Sequence, residues 1–388
     1  MQFLSTISAD ESTARATEAV IDAVRERSEP DVALLFITMH HRDDAGQILQ
    51  RVQDELEPQA LIGCTGEGVI GGEHEIEREP GMALMVGKMP GVRLRAFHVG
   101  GEAWRELFSD PRALLEHIGH SPETRAVIGL GDPFTTPVTQ LMQLLDQLAP
   151  TSPLVGGMAS GGRSAGQCAL LMNDQVLEDG FVGLSISGPA EVTTIVSQGC
   201  KPIGRPMIVT RARDNFIEQL GGRPALDVVR EMIEQLPPQD RALIRGGLLI
   251  GRAISEYRDT FRRGDFLIRN LMGVSDQDQA LAIGDRVKVG QTVQFHVRDA
   301  ATADEDLQLM LEPQRKGLSP AAGLLFSCNG RGRNLFDEPH HDIGAMKRVL
   351  PRTPVAGFFA AGELGPIAGK NFIHGHTASM ALFRPRAL

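Results

Sequence analysis

No run of lysine and arginine long enough to hold phosphates occurs in this 388-residue sequence, and its formal net charge is −10. That balance excludes a non-specific binder of nucleic acid or of an anionic membrane surface. No apolar stretch exceeds strand length, which excludes a membrane-spanning helix. Four cysteines, Cys64, Cys168, Cys200 and Cys328, are scattered without CxxC or zinc-type spacing. With no signal-peptide pattern either, a disulfide framework is excluded and reduced thiols in the cytoplasm are expected. Aromatics are scarce, with one tryptophan (Trp104) and one tyrosine (Tyr257).

Several motifs are missing as well. No GxxxxGK[ST] is present, and Gly330-Arg331-Gly332 lacks the third glycine of a dinucleotide fingerprint. There is no HExxH, and no elbow motif of the GxSxG type surrounds Cys328. No cofactor is therefore expected. The stretch Asp337-Glu338-Pro339-His340-His341-Asp342 offers metal-ligand types. It reads equally as an acidic helix N-terminus, and no metal is assigned to it.

What the chain does have is glycine, 43 of 388 residues without low-complexity tracts, and a pattern that recurs. The first copy is an apolar strand at 32–38, a helix carrying Ile48, Leu49, Val52 and Leu56, Pro58 as its stop, the segment Gly63-Cys64-Thr65-Gly66-Glu67-Gly68, and a strand at 82–86. The second has a strand at 126–130, a helix with Val138, Leu141, Met142, Leu145 and Leu148, Pro150, a glycine segment at 156–162, and a strand at 181–186. The third has a strand at 323–328, a helix with Ile343, Met346, Val349 and Leu350, Pro351, the segment 355–363, and a strand at 378–383. From proline to first glycine is five, six and six residues. A degraded fourth copy is expected to begin at Gly246 and to include 265–269 and the alternating strand of Val293, Phe295 and Val297.

The fold class this predicts is α/β, with α+β as the alternative: two domains of strand–helix–strand units whose sheets are covered by helices. Length alone favours two domains. The expected division is 1–215, holding two repeats, and 216–388, holding the third and the degraded fourth.

Four segments carry a family resemblance. They are Gly63 to Gly72 with Glu67, the run Phe326-Ser327-Cys328-Asn329-Gly330-Arg331-Gly332, the run 354–366 around Glu363, and Asn371-Phe372-Ile373-His374-Gly375-His376-Thr377-Ala378. Together with Gln294 to Ala300 they resemble the FIST_N and FIST_C domains over nearly the whole chain. The resemblance implies a sensory protein that binds a small ligand, with an amino acid or similar zwitterion the favoured class. No kinase, cyclase or F-box segment is attached, so the output is expected to run through a signalling partner protein or a second copy in a homodimer.

The expected ligand-binding residues follow from the repeats and the resemblance. Glu67 and Glu363 stand in glycine segments, where a carboxylate beside exposed amides suits an ammonium group or instead caps loop N–H groups. Arg331 offers a planar clamp for a carboxylate, or an internal salt bridge. Cys64 and Cys328 occupy comparable places, as candidates to line one cavity or as small core residues. Asn329, Asn371, His374 and His376 complete the set. Binding rather than catalysis is the expectation. The alternative is a Cys- or metal-dependent hydrolase or transferase using Cys328 with His374 or His376.

Overall fold

The computed structural model describes residues 1–27, 29–257 and 260–386. Packing divides the chain into two compact units. One comprises Met1–Val196, Gln308–Ile373 and Thr377–Leu388; the other Ser197–Leu307 and His374–His376. The third repeat thus packs with the first two, although it follows residue 216 in the chain.

The first repeat runs β1 (Gln2–Ser8), α1 (Thr13–Val24), β2 (Val32–Thr38), α2 (Ala45–Leu56), β3 (Ala60–Gly66), β4 (Gly68–Gly71), β5 (His74–Glu77) and β6 (Met82–Lys88). The second runs β7 (Arg93–Val99), α3 (Ala103–Ser109), α4 (Pro111–His117), β8 (Thr124–Gly131), α5 (Val138–Leu148), β9 (Leu154–Met158), β10 (Leu170–Met172), β11 (Gln175–Leu177) and β12 (Phe181–Ser187). The third opens with β13 (Ala190–Gln198) and is then interrupted by the second unit's elements. These are β14 (Cys200–Arg213), β15 (Phe216–Leu220), β16 (Arg223–Pro224), α6 (Ala225–Gln235), α7 (Pro238–Leu243), β17 (Leu248–Ala253), β18 (Phe266–Ser275), β19 (Ala280–Ile283) and β20 (Thr292–Arg298). After α8 (Ala300–Leu311) the repeat resumes with β21 (Ala322–Cys328), α9 (His341–Val349), β22 (Val355–Ala360), β23 (Glu363–Ile367), β24 (Lys370–His374) and β25 (Thr377–Pro385).

Helix period and core agree. In α2 the buried residues are Ala45, Ile48, Leu49, Val52 and Leu56, one face of a 3.6-residue period. Each large aliphatic among them contributes about 1.5–3 kcal/mol by leaving water. The helix ends on Glu57 in a left-handed conformation, φ 49°, just before Pro58.

The glycines that recur are strand residues rather than loop residues, and their reason is steric. In each repeat the two central strands pair in parallel, and one glycine faces a fixed partner: Gly63 opposite Leu35, Gly156 opposite Gly129, and Gly357 opposite Leu325. A Cβ at these positions would lie 1.9, 1.8 and 1.7 Å from the partner's carbonyl oxygen. No side chain fits there.

Each repeat also gives its hairpin away. The sheet orders are β1-β6-β2-β3-β10-β11, β24-β23-β9-β8-β12-β7 and β13-β25-β21-β22-β4-β5. The β4–β5 hairpin of the first repeat therefore extends the third repeat's sheet, through pairs such as Val69 with Phe358. The second repeat's β10 extends the first sheet, and the third repeat's β23 extends the second. The exchange is cyclic, so no repeat has a complete sheet of its own.

The second unit holds a different sheet, in the order β14-β20-β17-β18-β19-β15-β16, in which β14 also pairs β15. The N-terminal half of β14 bonds β20 and its C-terminal half bonds β15, so the sheet closes on itself around a core that includes Ile203, Val209, Ile217, Ile250, Leu281 and Phe295. The segments expected as a fourth repeat are β17, β18 and β20. Here β17 pairs β18 and β20 antiparallel, whereas the central strands of the three repeats are parallel. An alternating strand in a closed antiparallel sheet has the same apolar content as a repeat strand, which explains the likeness in sequence. Among the described residues no helix is long and apolar enough to cross a membrane.

Candidate functional site

Strand β21 ends at Cys328, and the loop that follows carries the densest polar chemistry of the first unit. Arg331 is fully buried; its Nε and Nη2 donate to the two Asp342 carboxylate oxygens at 2.7 and 2.8 Å. Ser327 Oγ donates to Asp342 at 2.6 Å, and His341 Nδ1 lies 2.9 Å from it. The His341 ring stacks on Phe336, over which the guanidinium also sits, 5.3 Å from the ring centroid. Burial opposes both charges. Asp342 nonetheless holds Arg331 above its usual pKa, and Arg331 holds Asp342 well below the usual carboxylate range.

Glu363 meets this network from β23. It is fully buried, its Oε2 accepts the Thr377 N–H at 3.2 Å, and the Cys328 thiol hydrogen-bonds to its carboxyl. Burial pushes its pKa well up, against the Thr377 N–H, Cys328 and Arg331. The Gly330 N–H points at the Cys328 sulfur, 3.4 Å away. Two buried polar atoms here have no hydrogen-bond partner among the described residues, Glu363 Oε1 and Arg331 Nη1.

In front of this floor lies a narrow cleft lined by Glu67, Gly68, Glu77, Arg78, Asn329, Asn334 and Phe359. Its empty volume is about 230 Å³, of which about 10 Å³ is open to the centre of a water molecule. Arg78 Nη2 donates to Asn334 Oδ1, and Asn334 Nδ2 donates to the Asn329 carbonyl. The Glu77 carboxylate takes the Arg333 N–H, 3.1 Å from each oxygen. Glu67 stands at the break between β3 and β4, held by its own N–H on Ser160 Oγ. Asn329 Oδ1 is buried without a partner among the described residues. Arg78 is held at φ 62°, a left-handed conformation that costs a non-glycine residue about 1–3 kcal/mol.

The structure brings Cys328, Asn329, Arg331 and Glu363 together, with Glu67 across the cleft from Asn329. The other expected residues lie elsewhere. Cys64 is in the apolar core of the first unit with Phe36 and Ile62, and burial raises its thiol pKa. Asn371 accepts the Leu154 N–H and donates to Asp146 Oδ1, tying the β23–β24 hairpin to the second sheet. His374 and His376 group with the second unit, where His376 Nε2 is 3.0 Å from Asn270 Oδ1. The Cys328 thiol meets the Glu363 carboxyl and the backbone N–H of Gly330. Sequence reasoning passed over Glu77, Arg78, Asn334 and Phe359. The signal available was the adjacent opposite charges at 77–78, inside the polar excursion that follows the first glycine segment.

The FIST N domain matches residues 31–223, and the FIST C domain matches residues 225–366. The chain belongs to the FIST family. FIST domains are sensory domains, and both halves of the pair are present here. Relatives of the same kind include the uncharacterized protein Rv0628c of Mycobacterium tuberculosis, 42% identical over 377 residues and 95% of each chain. The uncharacterized protein Mb0898c of Mycobacterium bovis is 40% identical over 381 residues, 96% of this chain and 97% of its own. The Arg331–Asp342 floor lies within the FIST_C match, whereas the Glu67–Asn334 cleft uses residues of both matches, because the β4–β5 hairpin of the one extends the third repeat's sheet in the other.

Proposed function

We propose that this FIST protein is a cytoplasmic sensor that reversibly binds an amino acid or similar small zwitterion in the cleft between the β4–β5 hairpin and the loop 329–334. The observation that carries the reading is the pairing of opposite charges on one small lining: the Glu67 and Glu77 carboxylates for an ammonium group, and Arg78 for a carboxylate. The Asn329 and Asn334 amides supply neutral donors and acceptors, and Phe359 an apolar wall. As it stands the space holds about one water, so a ligand must open it. The bonds it would displace are Arg78 to Asn334 and Asn334 to Asn329, which pin the 329–334 loop. Release of that loop, passed to a partner protein or to a second copy, is the signal. A ligand that binds the open state alone shifts the population by its differential affinity.

The test is a thermal-shift screen of amino acids, small carboxylates and amines, repeated on Glu67→Gln and Arg78→Met. A hundredfold excess over the dissociation constant stabilises by about 2.7 kcal/mol. An amino-acid hit weakened in both variants supports the reading. Hits indifferent to both variants, or none at all, would sink it.

A further inference from the structure

On the far side of Glu77 lies a wider cleft, about 380 Å³, whose lining includes Ile7, Ile76, His74, Glu75, Glu79, Arg333 and His340. Its size falls within the range of small-molecule sites. Glu75 is its most unusual member. The residue is 5% exposed, Oε1 accepts the Ile343 N–H of α9 at 2.9 Å, and Oε2, itself closed to solvent, has no partner among the described residues. A buried carboxyl oxygen left unsatisfied is unfavourable, and a donor supplied by a ligand would relieve it.

The surrounding charges decide the sign of that donor. The Glu75 N–H donates to His340 Nδ1 at 2.9 Å, so this ring nitrogen carries no proton. Burial, with His74 and Arg333 nearby, lowers the His340 pKa and keeps the imidazole neutral. Glu77 and Glu79 then outnumber the single guanidinium of Arg333 on the lining. The Ile7 and Ile76 side chains give a short apolar wall. Among the described residues no three His, Cys, Asp or Glu side chains converge as a metal-ligand set.

We propose that this cleft is a second binding site, for a small primary ammonium compound whose charged head opens a path to the buried Glu75 Oε2 and whose short apolar body lies on Ile7 and Ile76. The two clefts share Glu77, but Glu75 and Glu79 line only the wider one. Binding moves one proton. The groups facing Glu75 are Asp342 and His340 from α9 and its cap, Arg331 from the loop after β21, and Glu77 from its own strand. Burial first, then Asp342, pushes Glu75 up to about 8, so at neutral pH it is a protonated acid. An arriving ammonium favours the carboxylate, and the Glu75 O–H proton leaves to solvent as the N–H to O bond forms.

Isothermal titration with n-butylamine, in buffers of different ionisation enthalpy, reads both affinity and proton release. The amine stays charged throughout, as lysine does. The expected result is release of one proton per amine and an affinity that rises about tenfold per pH unit up to about pH 8. Neither n-butanol nor butyrate should bind. Glu75→Gln keeps an acceptor for Ile343 and should lose the proton release and most of the affinity; Glu67→Gln should change neither. No binding of n-butylamine, equal binding of n-butanol or butyrate, or an unchanged titration in Glu75→Gln overturns the proposal. If Glu75→Gln does not fold, Glu79→Gln on the exposed rim decides. A several-fold weaker affinity supports the site, and an unchanged one refutes it.

Discussion

Arg331 and Asp342 hold each other through two hydrogen bonds, with neither side chain more than 1% exposed. Taking two charges out of water is costly, and only full hydrogen bonding offsets it. Ser327 and His341 complete the Asp342 shell and Phe336 covers the guanidinium face. Removing one partner leaves the other charged and uncompensated. Arg331→Met is therefore expected to destabilise by about 3–5 kcal/mol in urea unfolding. The double variant Arg331→Met with Asp342→Leu should recover part of that loss. Additive losses in the double variant would show that the pair is not a coupled unit.

Glycine at the centre of each repeat makes a sharper prediction, because the clash is with backbone. Gly357→Ala would set a methyl 1.7 Å from the Leu325 carbonyl oxygen, and Gly63→Ala 1.9 Å from that of Leu35. Backbone cannot step aside as a side-chain tip can, so each substitution should cost at least the 1–3 kcal/mol typical of overpacking, roughly. Gly46, exposed in α2 with nothing within 4 Å of its Cβ position, is the matched control. Gly46→Ala should stabilise by about 0.5–1 kcal/mol. Equal effects at the two kinds of site would refute the steric account.

The repeats were legible in sequence because they rest on short-range rules: strand run, helix period, terminating proline, glycine at fixed distance. Buried Ile48, Leu49 and Val52, and Leu141, Met142 and Leu145, follow directly from spacing. The cyclic hairpin exchange was not legible. Val69 meets Phe358 across nearly three hundred residues, and strand pairing leaves no mark of its partner in either segment. The site divides the same way. Glu67, Cys328, Asn329, Arg331 and Glu363 lie in segments whose glycines and charges stand out, and they cluster. Glu75 and Arg78 were hidden because their importance comes from that remote pairing. Asn371 was chosen because it lies in a segment that carries the family resemblance; its side chain is taken up by the Leu154 N–H and Asp146.

Stability should fall between mildly acidic and mildly alkaline pH. An unfolded glutamate titrates near 4.3, while burial lifts Glu75 to about 8. Between those values the native state holds a proton that the unfolded chain has lost. Each such group lowers stability by about 1.4 kcal/mol per pH unit over that window. Glu363, also raised by burial, adds a slope of the same sign. Asp342 is depressed, so its contribution is complete above the unfolded aspartate value and is lost only in stronger acid. Glu75→Gln should flatten the decline and gain most, relative to wild type, at about pH 8. An unaltered slope in urea unfolding across this range would mean that Glu75 is ionised in the folded protein.

Cys328 should be the one cysteine that iodoacetamide reaches in the native state. Cys64 and Cys168 are fully buried and Cys200 is 3% exposed, whereas Cys328 is half-buried at the end of β21. Reaction needs a thiolate, and burial raises the Cys64 and Cys168 pKa values further. Mass spectrometry after brief alkylation should find one adduct, on Cys328, with the other three labelled only in denaturant. An amino-acid ligand should slow the reaction, because Asn329, the next residue, lines the zwitterion cleft. The same experiment judges the enzymatic alternative. A Cys328 as protected as Cys64 cannot serve as a nucleophile, and a hydrolase or transferase built on it falls. A Cys328 that also takes an acyl group from a nitrophenyl ester and returns it to water, with loss of turnover in Glu363→Gln, would move the assignment from sensor to enzyme.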